Sequence, residues 1–226
     1  MNERLELLIG NNNINKLNNS TVLVLGVGGV GGYVVETLAR SFIGTIILID
    51  YDKIDKSNIN RQIIALHSTI GLNKTEIFKK RILDINPNCN VIIHNIFYDA
   101  NNKDIIFDRH IDFVIDACDS INSKKIIIEE CLKRKIKFIS CMGTGNKLDN
   151  TKFEIVDIRK TSYDPIAKII RKWVKDSNIK EKVPVLYSKE EQIKNDSNVI
   201  GSISYVPSTA GLILAGYVIR ELIKNL

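Results

Sequence analysis

The sequence has few cysteines, and their spacing argues against the commonest structural metal sites. No two of them form a C-x-x-C pair, so a structural zinc ion is not expected. Most follow an apolar run or lie in a helical pattern, which is typical of reduced, buried thiols in a cytoplasmic protein. The four cysteines are Cys89, Cys118, Cys131 and Cys141.

Long hydrophobic runs are also missing. The first ten residues, MNERLELLIG, are charged and lack the apolar stretch of a signal peptide. No apolar run reaches the ~20 residues that a membrane helix needs, and the nearest, at 209–219, is better explained as a buried helix. We therefore expect no integral membrane segment and a cytoplasmic location.

Positive charge exceeds negative charge along the chain. The 226 residues carry a formal charge of +6. This balance favours an anionic partner, nucleic acid first and nucleotide second, although many surface lysines only solvate helices. The length fits one large α/β domain, or one domain with an added lobe.

A glycine-rich turn follows the first apolar run. Residues 21–25, TVLVL, have the unbroken β-branched character of a buried strand, and residues 30–41 have the pattern of a helix. Glycines between them let the backbone approach a phosphate, and the first amides of the helix favour an anion. The G-x-G-x-x-G spacing of Gly26, Gly28 and Gly31 therefore predicts a nucleotide site.

Two carboxylates lie at the end of the second predicted strand, which covers residues 45–50. Asp50 has the position at which nucleotide-binding folds hold a ribose hydroxyl pair, and NAD and ATP both have that ribose. Asp52 argues against NADP, because a 2′-phosphate would meet two carboxylates and no nearby arginine.

The segment after Asp50 indicates a polyphosphate. The polar run KIDKSNINRQ stands where a plain dinucleotide-binding fold would go directly into its next helix. Arg61 brings a permanent planar cation that matches phosphate oxygens, and Asn58 and Gln62 can bind phosphate or orient the arginine. Lys74 lies in the first turn of a helix predicted at 72–86. A cation there opposes the helix dipole, so its placement makes more sense if a phosphate lies nearby.

Two further carboxylates follow the fourth predicted strand, at 112–116. Asp116 and Asp119 lie at its carboxyl end, the edge at which open parallel sheets bind ligands. Their oxygens suit Mg²⁺ bound to a polyphosphate. Cys141 ends the fifth strand at the same edge, where a small buried side chain is favoured over a pocket residue.

Strands and helices alternate through residue 145. This order predicts an α/β fold with a doubly wound, mostly parallel, Rossmann-like sheet. We expect a single domain with a nucleotide-binding core at 1–145 and a C-terminal lobe at 146–226 that extends the sheet and supplies substrate and dimer contacts. The lobe is predicted to contain strands at 153–158, 185–188 and 203–206 and helices at 166–173 and 207–226.

A basic helix in the lobe is a candidate RNA-binding surface. Basic residues on a helix usually face only water, but the net charge favours contact with RNA here. The residues concerned are Lys168, Arg171, Lys172, Trp173 and Lys175, with Arg159 and Lys160 nearby in sequence.

From GVGGVGG to LIDYDKIDKSNINRQ, the chain resembles the ubiquitin-activating-enzyme-like adenylyltransferases. The resemblance implies binding of ATP and Mg²⁺, and a homodimer in which Arg4 reaches across to the second subunit's ATP. It also implies that Gly26, Gly28, Gly29 and Gly31 cradle phosphate, that Asp50 holds the ribose with Asp52 beside it, that Asn58, Arg61, Gln62 and Lys74 contact the triphosphate, and that Asp119 serves the metal.

The remaining motifs resemble one branch of that superfamily, the tRNA threonylcarbamoyladenosine dehydratases. ERLELLIG, RILDINPN, CMGTGNKLDNTKFEIVDIRKTSYDPIAK and GSISYVPSTAGLILAG carry the resemblance. It implies that ATP activates the threonyl carboxylate of the modified adenosine at position 37 of tRNA through an acyl-adenylate, and that the nucleoside's carbamoyl group closes the ring. No protein nucleophile is needed. The short loop at 189–198 has no cysteine, which argues against a covalent or sulfur-relay step. A cysteine-desulfurase or sulfur-acceptor partner nevertheless stays an open alternative.

Two other functions remain alternatives at this point. The first is an adenylyltransferase that activates the C-terminus of a ubiquitin-like sulfur carrier, although such enzymes generally have two C-x-x-C pairs. The second is an NAD-binding regulatory or sensor module. Arg61 and Lys74 argue against it, because a dinucleotide has no γ-phosphate that would need cations.

Overall fold

A seven-stranded sheet forms the centre of the molecule. The computed structural model describes residues 3–194 and 199–224. The strands are β1 (Thr21–Leu25), β2 (Thr45–Ile49), β3 (Asn90–His94), β4 (Phe113–Asp116), β5 (Lys137–Cys141), β6 (Phe153–Asp157) and β7 (Pro184–Ser188). Their spatial order is β3-β2-β1-β4-β5-β7-β6. Neighbouring strands are parallel except β6, which runs antiparallel to β7.

Helices cover both faces of this sheet. They are α1 (Glu3–Ile9), α2 (Asn11–Asn18), α3 (Gly31–Arg40), α4 (Lys74–Ile85), α5 (Ile121–Arg134), α6 (Pro165–Asp176) and α7 (Tyr205–Ile223). Side chains of α2, α3, α4 and α7 belong to the hydrophobic cluster on one face. Side chains of α5 and α6 belong to the cluster on the other. The predicted α/β fold with a doubly wound sheet, extended by strands of the C-terminal lobe, is confirmed.

Burial of β1 on both faces explains why its sequence is an unbroken apolar run. Val22 and Val24 point into one hydrophobic cluster, whereas Leu23 and Leu25 point into the other. Successive side chains of a strand alternate between faces, so a strand covered on both faces needs apolar residues throughout. Burial on both sides also fixes its register, because a slip of one residue would exchange the two sets.

The order in which successive strands are added to the sheet reverses between β1 and β4. β2 and β3 lie on one side of β1, and β4 and β5 lie on the other. The connections that leave the carboxyl ends of β1 and β4 therefore diverge and open a crevice between them, which is where open α/β sheets bind ligands.

The strand predicted at 203–206 is wrong. Helix α7 begins at Tyr205, with Ser204 before it as the N-cap residue. The β-branched and aromatic residues here resemble a strand, but Pro207 is the third residue of the helix, where no intrahelical amide bond is required. The predicted end of this helix at 226 lies outside the described residues, as does part of the loop predicted at 189–198.

Helix α7 packs closely against α3. A Cβ atom on Gly211 would lie 2.4 Å from the Val30 carbonyl oxygen and 2.9 Å from the Tyr33 Cβ, so glycine allows the two helices to touch. Within the described residues, α7 is the one helix long and apolar enough to cross a membrane by length and composition. Leu214, Ala215 and Val218 are fully buried in the cluster that it shares with α3, as expected for a core helix.

Candidate active site

A pocket of about 680 Å³ occupies the crevice at the carboxyl ends of β1, β2, β4 and β5. The turn before α3 and the polar segment after β2 form two of its walls. Most of the predicted site residues meet here. Those that line it are Gly26, Gly28, Gly29, Asp50, Asp52, Asn58, Arg61, Gln62, Lys74 and Asp119.

Two glycines shape the turn in different ways. Gly26 has φ +83°, and a Cβ there would lie 2.8 Å from the backbone of Cys118, so a larger residue would be both strained and obstructed. Gly31 lies behind the turn rather than among the lining residues: its Cβ would lie 1.8 Å from the Gly26 carbonyl oxygen. Gly31 thus allows α3 to begin against the turn, which aims the first amides of the helix at the pocket.

Asp50 is held rigidly at the end of β2. One carboxylate oxygen accepts a hydrogen bond from the Val27 amide at 2.8 Å, and the other accepts one from the Asp52 amide at 2.9 Å. Burial raises the pKa of Asp50, while the Lys74 ammonium and the two amides act in the opposite direction. The carboxylate is therefore orientated before any ligand arrives.

Lys74 is a buried cation with one carboxylate partner. Its Nζ lies 2.6 Å from Asp52 Oδ2, and the two side chains are 5% and 43% exposed. Lys74 is the first residue of α4, two residues after the predicted start of that helix at 72, and so lies in its first turn as expected. Its location at the positive end of the helix dipole favours an anion beside it, and Asp52 supplies one in this structure.

Arg61 projects a guanidinium group at the pocket from the polar segment. Its Nη1 donates to the Ser57 carbonyl at 2.8 Å and to Asn60 Oδ1 at 3.0 Å. Within residues 3–194 and 199–224 it forms no ion pair with a carboxylate, which leaves its charge available to an anionic ligand.

Asn58 and Gln62 are buried side chains in the same segment. Asn58 Oδ1 accepts from the Asp55 amide at 3.1 Å and so stabilises the short 3₁₀ turn that precedes Arg61. Gln62 Oε1 is buried and has no hydrogen-bond partner among the described residues. A buried acceptor without a donor is costly. A ligand hydroxyl or a water molecule bound to a metal would satisfy it.

The two carboxylates at the carboxyl end of β4 have different surroundings. Asp119 is exposed at the rim of the pocket. Asp116 is fully buried, and Lys124 Nζ donates to its two oxygens at 3.2 and 3.1 Å. The expectation that Asp116 is a metal ligand is therefore wrong, because its oxygens already bind Lys124.

Lys124 connects the ends of two strands beside the pocket, a role that was not predicted from the sequence. Its Nζ also donates to the Cys141 carbonyl at 2.7 Å, so it joins the ends of β4 and β5. The helical spacing contained a signal: Lys124 lies three, four and seven residues before Ile127, Ile128 and Cys131, which form the buried face of α5.

Magnesium would need phosphate oxygens as additional ligands. In the described parts of the chain, no group of three His, Cys, Asp or Glu side chains is arranged to hold a metal ion. Mg²⁺ is commonly bound by one or two carboxylates together with substrate phosphates. Asp119 at the rim fits that arrangement.

Arg4 does not reach the pocket of its own chain. It is an exposed residue of α1, a helix that buries none of its residues. Leu7 and Leu8 of the same helix are 89% and 80% exposed. The structure thus separates Arg4 from the other predicted site residues.

Two residues of α6, the basic helix of the lobe, make contacts that the sequence pattern did not predict. Trp173 is partly buried and packs against a hydrophobic cluster. Arg171 Nη1 donates to the carbonyl and the hydroxyl of Thr161, both at 2.7 Å. Lys168, Lys172 and Lys175 are exposed.

A comparison with protein families agrees with this geometry. The family model described as "ThiF family" matches residues 2–225. The chain belongs to the ThiF family. A relative from Bacillus subtilis named tRNA threonylcarbamoyladenosine dehydratase is 45% identical over 99% of this chain and 94% of its own length. The predicted resemblance to that branch of the ThiF family is confirmed.

Solved ThiF-family structures have the same fold. The Escherichia coli tRNA N6-threonylcarbamoyladenosine dehydratase, crystallised with AMP, is 32% identical and superposes with a TM-score of 0.93 over 98% of this chain and 93% of that one. The same E. coli protein in complex with ATP superposes with a TM-score of 0.92 at 31% identity, again over 98% and 93% of the two chains.

Similarity to another ThiF-family enzyme is confined to part of the chain. A probable molybdopterin-synthase adenylyltransferase of Porphyra purpurea is 43% identical, but over 52% of this chain and 31% of its own length. The B. subtilis dehydratase and the E. coli dehydratase structures instead match nearly the whole of this chain, including the lobe after residue 145.

Proposed function

We propose that this protein uses ATP to dehydrate N6-threonylcarbamoyladenosine in tRNA. The observation that carries the proposal is the convergence of Asp50, Arg61 and Lys74 on one pocket that continues into the lobe. A ribose-binding carboxylate and two cations suit a nucleoside triphosphate. The full-length similarity to proteins named as dehydratases supports this particular substrate.

The reaction needs positioning and charge neutralisation rather than a protein nucleophile. The threonyl carboxylate attacks the α-phosphorus and releases pyrophosphate, and the carbamoyl group then attacks the acyl carbon and releases AMP. Arg61 and Lys74 would stabilise the charge that develops on the phosphates. One carboxylate oxygen leaves with AMP and the attacking carbamoyl group loses a proton, so the product is lighter than the substrate acid by one water.

The cysteines at the pocket fit a reaction without covalent catalysis. Burial raises the pKa of Cys141 to about 12, and burial raises that of Cys118 well above its usual value. A thiol is nucleophilic as the thiolate, which neither group forms near neutral pH. These two residues therefore give no support to a sulfur-relay step.

We propose that Mg²⁺ binds with the triphosphate at Asp119. The ion would supply charge neutralisation to the phosphate oxygens when bound. The unpaired acceptor of Gln62 supports this arrangement, since a water molecule on the ion could donate to it. Asp119 is exposed, so its carboxylate is free to turn toward a ligand in the pocket.

We also propose a homodimer in which Arg4 reaches the pocket of the second subunit. Helix α1 buries no residue in its own chain, and its exposed Leu7 and Leu8 offer an apolar surface to a second copy. Sedimentation should therefore give a dimer. Mixing Arg4→Ala with Arg61→Ala chains should restore part of the activity, because one mixed site then has both arginines. A monomer with full activity would refute this arrangement.

Mass spectrometry of tRNA nucleosides from cells tests the proposed function. Cells without this protein should accumulate uncyclised threonylcarbamoyladenosine, and the wild-type gene should restore the lighter nucleoside. The gene with Arg61→Ala should not. If deletion leaves the nucleoside unchanged, the proposal is refuted.

The alternative is adenylation of the C-terminus of a ubiquitin-like sulfur carrier. The partial similarity to a molybdopterin-synthase adenylyltransferase favours it as the second candidate. Pyrophosphate exchange separates the two functions. We expect exchange with threonylcarbamoyl-modified tRNA, and a carrier protein ending in glycine should produce none.

A further inference from the structure

Tyr163 has an unusual backbone conformation for an aromatic residue. Its φ is +55°, in the left-handed region that bulky residues rarely adopt. Its side chain is 64% exposed, so packing of the ring does not explain the conformation. Backbone strain of this kind persists where the surrounding structure imposes it, and it is concentrated at functional sites.

Buried contacts on both sides hold this turn. After Tyr163, Asp164 accepts from the Ala167 amide at 2.8 Å and lies 3.4 Å from Lys147 Nζ. Both of these charged side chains are fully buried. Before it, Thr161 is bound by Arg171 through two hydrogen bonds. The turn is therefore rigid, and it presents the ring of Tyr163 outward.

The location of the turn connects it with the candidate active site. Pro165 and Ile166, directly after the turn, line the pocket. Tyr163 therefore lies two residues before the wall that the C-terminal lobe gives to the pocket. It is not among the residues that line the pocket, and it is distant in sequence from the nucleotide-binding segments.

A row of cations begins at the same place. Lys168, Lys172 and Lys175 lie four and then three residues apart along α6, so they share one face of the helix. All three are exposed, and none forms an ion pair in the described parts of the chain. We call these three residues the lysine row. Unpaired cations beside an exposed aromatic ring fit single-stranded nucleic acid, whose bases stack while its phosphates bind the cations.

We propose that Tyr163 stacks on a nucleobase of the tRNA loop that carries the target nucleoside, and that the lysine row binds phosphates of the same loop. This inference rests on the proposed function. It assigns the aromatic contact that the sequence pattern suggested for α6 to Tyr163 rather than to Trp173, whose ring is partly buried against a hydrophobic cluster.

Steady-state kinetics with modified tRNA test this inference. Tyr163→Asn removes the ring but keeps a residue that tolerates positive φ, and Tyr163→Phe keeps the ring. We expect Tyr163→Asn to raise the KM for tRNA roughly tenfold, as loss of one stacked base does, with ATP affinity unchanged. Tyr163→Phe should resemble wild type. Ile105→Ala, which alters another exposed apolar residue, serves as the control.

The lysine row has its own control. Lys168→Gln with Lys172→Gln should weaken tRNA binding and reduce its salt dependence, whereas Lys80→Gln, an exposed lysine of α4, should change neither. Wild-type kinetics for Tyr163→Asn would overturn the stacking role while leaving the proposed function intact. A loss in Tyr163→Phe equal to that in Tyr163→Asn would also overturn it. If wild-type protein converts no tRNA, the proposed function and this inference both fail.

Discussion

The Lys74 ammonium lies 2.6 Å from the Asp52 carboxylate, and the two partners differ in their contact with solvent. Lys74 is buried at the start of α4, whereas Asp52 is half exposed at the pocket. Loss of the Asp52 carboxylate would leave the buried Lys74 ammonium without its hydrogen-bonded counterion, with Asp50 as a remaining negative charge nearby, but loss of the ammonium would leave a carboxylate that water can solvate. Substitution of Asp52 and substitution of Lys74 should therefore have different consequences.

Asp52→Asn should destabilise the protein more than Lys74→Met. We expect a loss of roughly 1–3 kcal/mol for Asp52→Asn and a smaller loss for Lys74→Met, measured by urea unfolding. Turnover should show the reverse order, because Lys74 would neutralise phosphate. ATP should restore more stability to Asp52→Asn than to wild type, since a triphosphate can replace the missing counterion. Equal stabilities for the two variants would contradict this account.

Arg61→Ala should abolish most of the turnover and leave the fold intact. Removal of a preorganised charge at a reacting group costs on the order of 100-fold or more in rate. Arg61→Lys should recover little, because lysine lacks the planar fork that binds Ser57, Asn60 and a phosphate together. Arg109→Ala is the control, since Arg109 forms only a surface pair with Asp108. Near-normal activity of Arg61→Ala would contradict the adenylation account.

ATP affinity should fall in acid because Asp50 takes up a proton. Burial raises its pKa from the ordinary value of 3.8, so protonation begins at a higher pH than for a surface aspartate. The neutral group is a poorer acceptor for ribose hydroxyls. A raised pKa also means that ionised Asp50 reduces the stability of the folded state, and this cost appears as the pH rises through the folded-state pKa.

Asp50→Asn isolates this effect. The variant should bind ATP weakly at neutral pH, with no acid-dependent loss attributable to this position, when a fluorescent ATP analogue is titrated from neutral to acidic pH. An unchanged acid dependence in Asp50→Asn would assign the titration to another group.

Two glycines of α7 should respond in opposite ways to substitution by alanine. Gly211→Ala would push a methyl group into the Val30 carbonyl, and overpacking of this kind costs about 1–3 kcal/mol. Gly216→Ala meets only the flexible end of Arg220 at 3.3 Å, so it should be neutral or stabilising by up to about 1 kcal/mol. Thermal unfolding of both variants measures the difference. Equal effects would show that α7 does not depend on close packing at Gly211.

The sequence predicted the sheet because its strands are buried on both faces. An unbroken apolar run such as β1 has few alternatives, and the glycine turn follows it directly. The strand expected at 203–206 failed because local β propensity says little about a residue that precedes a helix with proline in its first turn. The sequence could not show which helix packs on α7, because the residues that lie against Gly211 are distant from it in sequence.

The candidate site was predicted in part. Residues near the nucleotide turn follow from local spacing, which places Asp50, Arg61 and Lys74 on one pocket. The contacts of Lys124 were not predicted, because only the fold brings Asp116 and the Cys141 carbonyl to its ammonium. The exposure of Tyr163 and the partial burial of Trp173 likewise depend on tertiary packing that a linear pattern does not contain.

Direct conversion of modified tRNA tests the central claim most clearly. Purified protein is incubated with ATP, Mg²⁺ and tRNA that carries threonylcarbamoyladenosine, and the digested nucleosides are weighed by mass spectrometry. The account predicts a nucleoside lighter by one water, with one AMP and one pyrophosphate formed for each conversion, and no product with Arg61→Ala. An unchanged nucleoside, with pyrophosphate released only when a carrier protein is added, would contradict it.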